Sequence, residues 1–176
     1  MTGGLATIDR PTRTRAEVVA ALRVFGTVAV LGVPLGWVWS RLAPPEVVRI
    51  GRDGRIVELI GQSEHRFDAL AVFLLLGLAV GVLTGAAVWL LRARRGPVTL
   101  LAAVLGALVA AWLAMRTGQI LVAWRYAEAL AAATPGELVP RAPVIESAWA
   151  VVAQPLGVAL AYSSTVAWNG TDDLGR

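Results

Sequence analysis

The chain has 176 residues, 57% of them hydrophobic and 16% charged, with a net charge of +4 and a mean hydropathy of +0.67. Soluble domains carry about 25% charged residues, and here the charges crowd between long uncharged stretches, as a bilayer requires. With no cysteine and a single histidine, His65, disulfides, thiolate metal sites, cysteine nucleophiles and multi-histidine metal sites are excluded.

Residues 1–16 are polar and read as a disordered cytoplasmic tail, with Arg10, Arg13 and Arg15 just before the first apolar run. Span 1 is predicted over about 19–42, with no charge from Val24 to Ser40. Arg23 snorkels at its inner edge, while Trp37 and Trp39 suit the outer interface. The two tryptophans stand where a leader cleavage site would need small residues, so the span is expected to stay as an anchor. Pro34 is expected to kink it, and Pro44-Pro45 ends it.

An extracytoplasmic β-hairpin is predicted next. Val47-Val48-Arg49-Ile50 and Arg55 to Ile60 are rich in β-branched residues, and Asp53-Gly54 supplies the turn. An isolated hairpin is marginal in water, so it is expected to lean on the other outer loop, a lipid surface or a partner. Span 2 follows over about 69–91, free of charge, with Trp89 at its inner end. The short basic loop Arg92, Arg94, Arg95 and the turn Gly96-Pro97 come at once. Those three arginines are the strongest topology determinants and place both chain ends in the cytoplasm.

Span 3 is predicted over about 98–118, its helix extending to about 133, where Thr134-Pro135-Gly136 stops it. Some twenty residues already cover a hydrocarbon core of about 30 Å, so Arg116 should lie near the outer interface. Span 4 is predicted over about 147–168, with Pro155 as a kink, and 169–176 forms a cytoplasmic tail. The fold class expected is an all-α membrane protein: four transmembrane helices in a bundle, with the outer hairpin between helices 1 and 2.

Gly77, Gly81 and Gly85 recur every fourth residue on one face of span 2, and Gly32 and Gly36 make a shorter version in span 1. In lipid such small-residue faces allow close helix approach. The simple expectation is that spans 1 and 2 pack together; the alternative is an interface with a second copy or a membrane-protein partner.

A candidate outer polar site gathers Glu64, Asp68, Arg116, Gln119 and Arg125. Arg116 and Gln119 share a helix face, and an Asp68–Arg116 ion pair would clamp the outer ends of spans 2 and 3. Arg116 alone in headgroups, or an anionic ligand or lipid headgroup at Arg116 and Arg125, are the alternatives. No paired intramembrane acids, nucleophile or metal ligands appear, so no enzyme activity and no cofactor are expected. Ser163, Ser164 and Thr165 are expected to bond their own helix carbonyls. The arginines are dispersed and lack an aromatic groove, which argues against nucleic acid; membrane lipids are the expected partners.

The stretch Asp68-Ala-Leu-Ala-Val-Phe, the glycine-rich span ending at Trp89, the turn Arg94-Arg-Gly-Pro97 and the segment Leu113-Ala-Met-Arg-Thr-Gly118 together resemble an actinobacterial domain-of-unknown-function family of small four-span membrane proteins. The likeness covers about two thirds of the chain. It implies location and topology and brings no activity with it. The function expected is a non-enzymatic structural or accessory component of the bacterial cell envelope, in the cytoplasmic membrane. A small transporter or channel subunit using the kinked spans 1 and 4 is the alternative.

Overall fold

The computed structural model describes residues 10–53, 55–58, 63–91 and 96–168. Arg92, Arg94, Arg95, the turn residue Gly54, residues 1–9 and 169–176, and the Glu64 side chain lie outside the described residues. Among the described residues, four helical segments are long and apolar enough to cross a membrane. Large apolar side chains on all four face outward, among them Leu22, Leu75, Leu83, Leu105 and Leu160.

The first segment is two helices, α1 (Arg10–Val30) and α2 (Gly32–Leu42). Helix α1 begins inside the stretch read from sequence as a disordered tail. The break at Leu31 has a cause one turn further on. Pro34 offers no N–H to the Val30 carbonyl, and its ring crowds that carbonyl. Leu31 N–H instead reaches back three residues, to the Val28 carbonyl at 3.1 Å.

Strands β1 (Glu46–Ile50) and β2 (Ile56–Glu58) form the expected hairpin, with Arg49 opposite Val57 and Ile50 opposite Ile56. Helix α3 (Ser63–Leu90) follows, and then α4, unbroken from Pro97 to Ala131. At 1.5 Å per residue α4 is about 52 Å long, so the predicted extension beyond Arg116 is present. It ends just before Thr134-Pro135-Gly136.

The hairpin does not stand alone. Strand β3 (Leu138–Arg141), from the loop after α4, pairs with β1 and makes a three-stranded antiparallel sheet of order β2-β1-β3. The ladder continues through Ile50 N–H to the Glu137 carbonyl (3.0 Å) and Gly136 N–H to the Ile50 carbonyl (2.7 Å). One face of β1 buries Glu46, Val48 and Ile50, and β3 lies against α4.

Gly136 has φ of 94°, a left-handed conformation that an L side chain adopts only under strain. Gly136→Ala is therefore expected to cost about 1–2 kcal/mol, read as a lower midpoint of thermal unfolding in detergent. An unchanged midpoint would show that the turn relaxes freely. Next to it, the Glu137 carboxylate accepts hydrogen bonds from Thr134 N–H and Thr134 Oγ1–H, both at 2.9 Å. These donors hold its pKa below the ordinary carboxylate value.

The last apolar segment opens as a 3-10 turn (Ala148–Val152) and becomes α5 (Ala153–Trp168). Pro155 thus sits in the first turn of α5, where a backbone N–H has no partner within the helix. It lies at the start of this helix, contrary to the kink expected at Pro155. Thr165 Oγ1 does donate to its own helix, to the Tyr162 carbonyl at 2.7 Å.

Helix α3 packs mainly along α5, and α1 and α2 pack along α4, which also touches α5. The pairing expected from sequence, span 1 with span 2, is not the main one. The glycines show why. A Cβ on Gly32 would fall on the Ala110 carbonyl, and one on Gly36 would meet Thr117 and Ala114, all on α4. A Cβ on Gly81 would fall on the Gln154 carbonyl, and one on Gly85 would meet the Val158 carbonyl at 2.6 Å, both on α5. Gly77 is looser, with its nearest atoms on Gln154 at 3.7 Å.

Reciprocal small residues receive these faces. Gly157 lies against Leu78 and Val82, Gly118 against Trp39, and Gly106 against Phe25. On α4 the buried face reads Ala103, Ala107, Ala110, Ala114, Gly118, a spacing of three and four that keeps one side of the helix small.

Candidate functional site

Polar chemistry concentrates where α2, α4 and the sheet meet. Its framework is Trp39, fully buried, whereas Trp37 is 51% exposed. Two residues apart on a helix, they point to opposite sides, so only Trp37 is placed to serve an interface as expected for both. Trp39 packs edge-on against Phe73, centroids 6.1 Å apart, and its indole Nε1–H donates to the Ala69 carbonyl at 3.0 Å. It thereby joins α2 to the first turns of α3 while lying on Gly118 of α4.

One turn further, α2 ends at an electrostatic problem. The Ser40 carbonyl would normally accept from the N–H four residues ahead, but that residue is Pro44 and has none. The partner comes from α4: Arg125 Nη1 donates to the Ser40 carbonyl at 2.8 Å. A cation at a helix C-terminus also suits the helix dipole.

Arg125 and Ser40 line a cleft of about 300 Å³ with Trp37, Arg41, Leu121 and Trp124. Arg41 lies over the Trp37 ring, 5.3 Å from its centroid, an i, i+4 cation–π pair. Trp124 is 73% exposed at the rim. Among the described residues neither Arg41 nor Arg125 meets a carboxylate; the ion pair there is Arg55 with Asp53 in the β1–β2 turn, at 3.7 Å. Two guanidiniums thus share one apolar-walled recess.

The structure does not gather the polar site expected from sequence. Gln119 Nε2 donates to the Ile145 carbonyl at 3.2 Å and so holds the loop after β3. Arg116 faces outward over the Trp112 ring, 5.7 Å from its centroid, and among the described residues it forms no ion pair with Asp68. Of the four whose side chains are described, Arg125 alone lines the cleft. Arg41, Ser40, Leu121 and Trp124 were missed as site residues. The repeated Trp-x3-Arg spacing, Trp37 to Arg41 and Trp112 to Arg116, was the available signal, because residues four apart on a helix share a face.

Deeper in, Gln154 is fully buried between α3 and α5, and neither of its amide atoms has a hydrogen-bond partner among the described residues. At the far end from the sheet, Tyr162 packs edge-on against Trp89 (5.3 Å) and accepts a hydrogen bond from Gly96 N–H at 3.2 Å.

Comparison with known proteins finds relatives described as uncharacterised. A protein of Mycobacterium leprae (strain TN), described as uncharacterised, is 31% identical over 188 residues, covering 97% of this chain and 93% of that protein. An uncharacterised protein of Mycobacterium tuberculosis (strain ATCC 25618 / H37Rv) is 37% identical over 100 residues, covering 54% of this chain and 51% of that protein. No solved structure matches. The family described as "Protein of unknown function (DUF2567)" matches residues 28–176, from late in α1 through α5 and beyond, and the chain belongs to that family.

Proposed function

We propose that this chain is a multi-pass protein of the bacterial cytoplasmic membrane with a non-enzymatic, structural or accessory role in the cell envelope. Both ends lie in the cytoplasm and the three-stranded sheet lies outside. The observation that carries the reading is the use made of polar groups at the sheet end. The Trp39 indole, the Gln119 amide and the Arg125 guanidinium are each committed to a backbone carbonyl of another segment. Two of these bonds tie α2 to α3 and to α4, and the third ties the loop after β3 to α4, so the sheet end of the helices is braced from within. Outward-facing leucines and valines along those helices are the surface a bilayer would cover.

A transporter or channel subunit is the second reading, supported by the buried Gln154 amide beside Pro155. The accessory reading is preferred because the cleft opens between α2 and α4, not between the two proline-bearing spans.

Reporter fusions test the orientation. Alkaline phosphatase inserted after Asp53 or after Pro135 is expected to be active, and fusions at either terminus inactive, with the protein resisting carbonate extraction. Active terminal fusions would reverse the topology, and carbonate release would remove the membrane reading. Cross-linking in native membranes followed by mass spectrometry is expected to recover a recurrent membrane partner. Recovery of monomer only would remove the accessory role.

A further inference from the structure

We propose that the cleft between α2 and α4 holds the phosphate of an anionic glycerophospholipid from the outer leaflet, gripped by Arg41 and Arg125. The proposal rests on the membrane orientation given above and adds a ligand class to it.

Depth is the first argument. No residue from Val24 to Ser40 or from Val98 to Met115 is charged, and each run approaches the length that crosses a hydrocarbon core of about 30 Å. Arg41 is the first charge after one run and Arg116 the first after the other. Trp39 rests on Gly118, and Arg125 reaches Ser40, so the cleft lies just beyond the end of the uncharged core. That is the layer in which lipid phosphates sit.

The cleft has the polarity of such a ligand. Leu121, one helical turn from Arg125 toward the uncharged run, and the Trp37 ring offer apolar surface to the glycerol and the first methylenes. Arg41 and Arg125 follow one helical turn later on α2 and α4. Indole rings at the membrane–water interface keep an apolar body in lipid and a polar edge at the headgroups, and Trp124 at the rim is placed for that. Arg125 commits one of its five N–H donors to the Ser40 carbonyl. That bond holds the side chain in place while other donors remain for phosphate oxygens. Arg41, braced on Trp37, supplies a second planar fork of the kind that suits phosphate.

The charge balance selects anionic over zwitterionic lipid. Among the described residues no carboxylate meets Arg41 or Arg125, so nothing there neutralises them. A choline or ethanolamine headgroup would bring its own cation into an already cationic recess, whereas a phosphatidylglycerol headgroup brings a single negative charge.

The test uses the full chain, purified in mild detergent, stripped of lipid and titrated while native mass spectrometry and tryptophan fluorescence are read. Phosphatidylglycerol is expected to bind at least about ten-fold more tightly than phosphatidylcholine, and Arg41→Gln to remove most of that preference, since a charge-assisted hydrogen bond is worth about a factor of ten. Arg41→Gln keeps the bond from Arg125 to Ser40, so it should fold, with a midpoint that falls less than that of Arg125→Gln. Arg125→Gln also loses the bond to Ser40 and should lower both affinity and midpoint. Equal binding of the two lipids, or a preference that survives Arg41→Gln, would overturn the proposal. Displacement of phosphatidylglycerol by millimolar inorganic phosphate would also overturn it, making the recess a site for free phosphate. Failure of the membrane reading itself registers separately, as carbonate release or reversed reporters.

Discussion

Trp39→Ala is expected to lower stability by about 3 kcal/mol, the usual cost of emptying a large aromatic site in a packed core. In a chain of this size that shifts the unfolding midpoint downward by roughly 6–12 °C. Two losses combine. The ring is fully buried among Leu35, Phe73, Ala114 and Val122, where it fills the gap between three helices. Its Nε1–H also supplies the bond that ties α2 to the Ala69 carbonyl of α3. Trp39→Phe largely separates the two, because it keeps most of the volume and loses the hydrogen bond, worth about 1 kcal/mol, so its effect should fall well short of that of Trp39→Ala. Trp37→Ala, on the exposed side of the same helix, should leave the midpoint nearly unchanged. Equal effects at Trp37 and Trp39 would contradict the burial described here. Differential scanning fluorimetry of the purified protein is the measurement.

Gly81→Leu is expected to prise α3 from α5. A Cβ at Gly81 meets the Gln154 carbonyl and comes within 3.1 Å of the Gly157 Cα. Both are backbone atoms, so rotamer changes give no relief and one helix must move away. Overpacking of this kind costs about 1–3 kcal/mol, and more when backbone has to shift. Gly81→Ala should already destabilise, although alanine is the better helix former by about 1 kcal/mol. Gly77→Ala is the control. Its Cβ would sit 3.7 Å from Gln154, an ordinary contact, so the helix-propensity gain should win and the midpoint should hold or rise. Since the Gly81 seam is internal, loss of the fold is expected with no change of oligomeric state beforehand. A stable Gly81→Leu protein that differs only in its assembly, seen by size-exclusion chromatography with light scattering, would move this glycine to an intermolecular surface.

Much of the scaffold was readable because its causes are local. Four long apolar runs give four helical segments, since hydropathy and helix length act through neighbouring residues. The long α4 followed from an apolar pattern that continues past Arg116 and stops only at Thr134-Pro135-Gly136. The kink at Pro34 followed from a missing N–H. Pro155 has the same chemistry and a different outcome. At the first turn of α5 no N–H is required, and only the position of the helix start distinguishes the two prolines.

The candidate site was far less legible. Sequence reading placed Arg125 with Glu64 and with Arg116, Gln119 and Asp68, and the last three do not line the cleft. Arg125 instead joins a residue 85 positions away, Ser40. The need at Ser40 was visible in Pro44, which leaves that carbonyl without its helical donor. Which of several arginines answers the need is not a local property.

By itself, then, the sequence determined the number of apolar helices, their approximate ends, the break before Pro34, the first hairpin and the family. These depend on backbone chemistry and on the affinity of each segment for an apolar environment. Tertiary structure decided which glycine face meets which partner, that Trp39 is core and Trp37 is surface, that β3 completes the sheet, and that Arg41 and Arg125 share a cleft. The reason is that a small-residue stripe specifies a close approach without naming the helix that approaches. Between equally apolar helices, the choice falls to the match of shape at backbone distance, as where Gly81 faces Gly157 and Gly36 faces Gly118.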